Sequence, residues 1–124
     1  MTIQEAIDRI DTLKPNKYPN RQKVAWLSDL DGMVYREIFQ LHEDSPVDVF
    51  EGYNQDTEMD VELLVQAPYV DIYQHYMATQ MDIANMESNK YAQDMQLFNN
   101  AWVTFGDYWT RNHMPKQRVK QFAL

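Results

Sequence analysis

Asp29-Leu30-Asp31-Gly32 is the short motif in this chain that most resembles chemistry. Two aspartates one residue apart after an apolar run suit aspartate-based phosphoryl transfer. In such a site the first carboxylate attacks, the second handles the proton and Mg²⁺ neutralises the phosphate. Three features of the sequence oppose that reading. Phosphatases of this kind need a doubly wound parallel sheet, and this chain has neither the length nor the alternating strand and helix pattern. No later pair of adjacent aspartates completes a metal site. The apolar stripe Val24, Leu27, Val34, Ile38 and Leu41 also runs through the motif without a change of period, which makes the segment helical. Asp29 and Asp31 are therefore read as helix residues, and Gly32 as a close contact or local break within the helix. The sequence predicts no catalytic residues and no enzyme.

The other oxygen-rich run is Asn54, Asp56, Glu58, Asp60 and Glu62, an acceptor side chain at every second position. On a strand these would share one face and invite Ca²⁺, but a calcium loop of the EF-hand kind needs glycine at its sixth position, which here is Met59. A solvated acidic edge is the simpler reading. His42, His75 and His113 fall in no metal-ligand spacing and read as helix-end or packing residues. The chain has three glycines, no phosphate-cradling loop and no cysteine, so thiolate sites and disulfides are excluded and no cofactor is expected. Eight methionines suit a core or interface that must adapt its shape.

Charge divides the chain. The net charge is −8, and no Lys or Arg lies between Arg36 and Lys90. Glu43, Asp44, Asp48, Glu51, Asp56, Glu58 and Asp60 make residues 43–60 an acidic loop, punctuated by Pro46 and Gly52. After Asp107 the sign reverses, through Arg111, Lys116, Arg118 and Lys120. An acidic body repels nucleic acid, so sequence-specific DNA binding is not expected. No apolar run approaches the length of a membrane span, and the first residues do not read as a secretion signal.

Helices must position these groups. Thr2-Ile3-Gln4-Glu5 fits a capping box, and Ile3, Ile7 and Ile10 follow it as one helical face. Tyr91, Met95, Phe98, Trp102, Phe105 and Trp109 recur at spacings of four, three, four, three and four, a stripe about five turns long. Tyr69, Tyr73, Tyr76, Gln80 and Ile83 form a second stripe just before it. The short break between the two stripes forces an antiparallel αα-hairpin. The pattern predicts a mainly α, compact domain with helices over 2–13, 20–41, 68–85 and 88–112. Pro68 is placed in the first turn of the third helix. Tyr91, Phe98, Trp102, Phe105 and Trp109 are expected to be mostly buried. A small β-hairpin is expected from Val47–Val49 and Asp60–Leu63 in the acidic segment. The domain spans 1–115. Residues 116–124 form a basic flexible tail in which Lys116, Arg118, Val119, Lys120 and Phe122 are the expected partner-binding residues.

Arg21 to Glu37, Leu63 to Tyr69 and the closing Trp109-x-Arg111-x-His113-Met114-Pro115 resemble the small head–tail connector proteins of tailed bacteriophages and prophages of Gram-positive hosts, also called adaptor or head-completion proteins. The resemblance covers roughly Arg21 to Lys116 and rests on structural signatures. It implies a helical fold and a homo-oligomeric ring at the portal vertex of the virion. The ring would join capsid to tail, with portal protein and a downstream head-completion or tail protein as partners. It also implies a passage for DNA, for which the acidic loop would supply a repelling lumen. Where the family's first hairpin helix is usually followed by a glycine-containing turn, this chain has Asn85-Met86. The alternative from a different class is a small helical interaction module, a phage-encoded regulator binding one cytosolic partner.

Overall fold

A computed structural model describes residues 1–116, and the expected tail residues Arg118, Val119, Lys120 and Phe122 lie outside the described residues. Four helices follow in order: α1 (Ile3–Leu13), α2 (Asn20–Glu37), α3 (Asp71–Asn85) and α4 (Ser88–Asn112). A short 3-10 turn, Phe39–Leu41, continues α2 after a break at Ile38. Helix α1 starts at the expected capping box. The Thr2 hydroxyl accepts from the Glu5 amide, and the Glu5 carboxylate accepts from the Thr2 amide, both at 3.1 Å.

Helix α3 is the hub, with α1 and α2 against one side and α4 against the other. A helix between two layers buries more than one stripe. Accordingly Ile72, Tyr73, Met77, Ala78, Thr79, Met81 and Asp82 are all buried, while Ile83, expected on the apolar stripe, is exposed. Around α3 the core gathers Ile3, Ile7 and Ile10 of α1, then Val24, Leu27, Leu30 and Val34 of α2, with Phe39, Leu63 and Val65.

Helix α4 corrects one expectation. Its helical neighbour is α3 alone, and Phe105 is its one buried residue. Tyr91, Phe98, Trp102 and Trp109 are half-buried on the same side. Periodicity reports which face turns inward; depth depends on how many layers lie beyond it, and here there is one. Phe105 reaches deepest because Phe39 and Tyr69 meet it with ring centroids 6.4 and 5.8 Å away.

The expected β-hairpin is a second correction, since no strand forms among the described residues. Backbone at 59–63 pairs with the N-terminal segment: Ile3 N–H donates to the Val61 carbonyl at 3.1 Å, and Leu63 N–H to the Met1 carbonyl at 2.9 Å. That leaves no partner for Val47–Val49, where Pro46 has already removed a donor. Helix α3 also begins at Asp71, three residues past Pro68, which sits in the preceding turn after a cis peptide bond.

Candidate functional site

The D-x-D motif divides between two faces of α2. Residues two apart on a helix point about 200° apart, so Asp29 faces solvent while Asp31 is fully buried. The two carboxylates do not converge on a common ion. Instead Asp31 accepts three hydrogen bonds: from the Tyr53 hydroxyl at 2.6 Å, the Leu64 amide at 3.0 Å and the Tyr73 hydroxyl at 2.7 Å. The Tyr73 hydroxyl also accepts from the Val65 amide at 2.7 Å. Burial pushes the Asp31 carboxyl above the usual carboxylate range, against the pull of those donors. Burial, then the nearby Asp31 charge, pushes the Tyr53 and Tyr73 hydroxyls up as well. This constellation holds chain together. It ties residues 53–65 to α2 and α3.

The same clamp shapes the acidic loop. Val47, Phe50, Tyr53 and Met59 pack inward against the core, while Glu43, Asp44, Asp48, Glu51, Asp56, Glu58 and Asp60 are all exposed. The Tyr35 hydroxyl donates to the Asp48 carbonyl, and the Ser28 hydroxyl accepts from the Tyr53 amide at 2.9 Å. Gly52 adopts φ +88°, and a Cβ there would lie 2.9 Å from Ser28 Oγ, so only glycine lets the loop lie this close to α2. The oxygen-rich run is a turn rather than a strand. The Asp56 amide donates to Asn54 Oδ1 at 2.8 Å and the Thr57 amide to the Asn54 carbonyl at 3.0 Å, so the alternate side chains share no face. Among the described residues no cluster of three His, Asp or Glu side chains is arranged to hold a metal ion.

The root of the tail is fixed. Glu43 N–H donates to the Met114 carbonyl at 2.8 Å and Lys116 N–H to the Leu41 carbonyl at 2.9 Å, closing an antiparallel bridge between His42 and Pro115. His42 is buried with Nδ1 2.6 Å from the Ile38 carbonyl oxygen. His113 stacks on Trp109 at 3.7 Å. Of the expected tail residues, Lys116 is described, and its side chain is exposed.

Sequence reasoning missed a cluster at the tip of the α3–α4 hairpin. Lys14, just past α1, pairs with the fully buried Asp82 of α3 and lies 3.7 Å from Asp94 of α4. Burial first, and then Asp82, push the Asp94 carboxyl up to about 6. Asp82 Oδ2 has no hydrogen-bond partner among the described residues. Beside it Glu87 and Lys90 pair at 2.8 Å, which lowers the Glu87 carboxyl and raises the Lys90 ammonium. The one signal in sequence was Asp82 directly after Met77 and Met81 on the inward face of α3. Nothing local pointed to Lys14, 68 residues away.

No family model matches this chain, and neither does any curated protein or solved structure.

Proposed function

We propose that this chain is a virion structural protein, a head–tail connector that assembles as a ring at the portal vertex and joins capsid to tail around a passage for DNA. Its partners in this reading are the portal protein and a downstream head-completion or tail protein. The observation that supports it is the acidic loop of residues 43–60. The loop is tied down by Ser28, Tyr35 and the Asp31 clamp, yet every one of its carboxylates faces solvent. A packed loop that holds only negative charge outward is a built surface. Several copies arranged around a channel would focus a negative potential on passing DNA and let it slide without being gripped.

The test is co-sedimentation with purified portal rings from the same virus or prophage. A connector migrates with the portal and adds a density layer to one end of the ring in electron micrographs. A chain that ignores portal rings and instead captures one host protein at low stoichiometry is a regulator, and the connector reading fails.

A further inference from the structure

We propose that the tip of the α3–α4 hairpin is a docking site for the segment Arg118–Phe122 of a second copy of this chain, so that subunits join head to tail. The inference deepens the connector reading and rests on it for the closure of a ring.

The tip is built in a way that the fold itself does not require. Helix α3 ends in a Schellman turn: Met86 N–H donates to the Ile83 carbonyl at 3.1 Å, and Glu87 N–H to the Asp82 carbonyl at 3.0 Å. The residue that must turn left-handed is Met86, at φ 59° and ψ 38°, where glycine is the usual occupant. Its side chain is 88% exposed, and Ile83 beside it is 51% exposed. Two large apolar side chains thus stand in water at a strained turn. With Asp82, Glu87, Ser88 and Tyr91 they line a pocket of about 340 Å³.

Charge says what the pocket takes. Asp82 and Glu87 line it, and around them stand Lys14 from the end of α1 and Lys90 and Asp94 of α4. Three carboxylates face two ammonium groups. Asp82 keeps one oxygen unpartnered among the described residues, and beside it stands Asp94, whose carboxyl is pushed up by burial and then by Asp82. A ligand that supplies a cation flanked by apolar side chains completes the site.

Arg118-Val119-Lys120-Gln121-Phe122 has that chemistry, two cations interleaved with Val119 and Phe122, whereas the chain's other basic stretch, Lys14, Lys17, Arg21 and Lys23, belongs to the folded body. It cannot reach its own tip. Helix α4 separates Met86 from the tail root and has 25 residues, so at 1.5 Å per residue it is roughly 36 Å long. Phe122 is six residues beyond Lys116, which is pinned to Leu41, and a fully extended chain of that length spans about 22 Å. The segment therefore meets the tip of a neighbour. Because root and tip lie at opposite ends of α4, the contact is heterologous, the kind that propagates into a ring when its rotation closes.

The chain has no cysteine, so disulfide trapping has no background. Met86→Cys and Phe122→Cys are prepared separately in the full chain, mixed under mild oxidation and scored for the mixed dimer on non-reducing gels. Val49→Cys, at an exposed site on the loop, replaces Met86→Cys as control. Docking predicts cross-linking about tenfold faster for the tip pair than for the control, as local concentration dictates. Adding Arg118→Glu and Lys120→Glu to the Phe122→Cys chain should abolish the difference. Equal rates for the two pairs overturn the proposal, as does a Phe122→Cys chain that cross-links to portal and not to the tip. Portal-bound rings without the tip cross-link would refute this contact and leave the connector reading standing. A tip cross-link in a chain that never binds portal would do the reverse.

Discussion

The carboxylate of Asp31 on α2 accepts the hydroxyl hydrogen of Tyr73 on α3 at 2.7 Å, and both side chains are out of solvent. That bond joins the hub helix to its neighbour at the point where the acidic loop returns to the core. Asp31→Ala would strand the Tyr73 hydroxyl and the Leu64 amide, and should destabilise the domain by about 3 kcal/mol in urea unfolding. Tyr53→Phe removes one donor from a carboxylate that keeps two others and should cost about 1 kcal/mol. A neutral Asp31→Ala would mean that the loop is held by its apolar residues alone.

The charged cluster at the hairpin tip makes stability depend on pH. The Asp94 carboxyl lies at about 6 in the folded chain, against an ordinary 3.8. The fold therefore prefers Asp94 protonated. Its contribution is complete below about pH 4 and is lost as pH rises through 6. Asp94→Asn cannot ionise, so it should melt higher than the parent at pH 7.5 and should flatten the decline between pH 5 and 7. Thermal melts of both proteins across that range decide the matter, and parallel curves would contradict it.

Much of this fold was legible in the sequence, and the exceptions share a cause. The helix ends came within a few residues because caps and prolines act locally: Thr2 and Glu5 close a box, Pro15 stops α1, and Pro19 precedes α2. The depth of Trp102 and Trp109 was not legible, because an amphipathic stripe looks the same with one layer beyond it or two. The Asp31 clamp was hidden for another reason. Tyr53 and Tyr73 stand 22 and 42 residues away, so an inward-facing aspartate on a helix could be noticed but its donors could not. The expected strands failed because Asp60–Leu63 found a better partner in residues 1–4, a pairing no local pattern encodes. The tip was visible only as a departure, Asn85-Met86 where a glycine is usual, and its meaning depended on where Ile83 and Met86 end up.

Phe105 and Trp102 separate depth from periodicity. Phe105 is 2% exposed, and Phe105→Ala should cost about 3–5 kcal/mol. Trp102 is half-buried, and Trp102→Ala should cost less than about half as much, since only the area removed from water counts. Equal losses in chemical denaturation would restore the expectation that the whole α4 stripe is core.

Met86→Gly should gain stability while losing assembly. Relief of the left-handed conformation is worth about 1 kcal/mol, so the variant should melt higher. Without the methionine side chain, sedimentation should show weaker self-association than the parent. A variant that melts higher and associates as before would leave Met86 with no role at the interface.

The most direct measurement is an electron-microscopic reconstruction of the chain bound to its portal ring. The connector account predicts a closed ring of copies beneath the portal, with the carboxylates of Glu43, Asp48, Glu51 and Glu58 facing the channel. Portal rings that stay bare, or a bound ring whose loop of residues 43–60 points away from the channel, would contradict it.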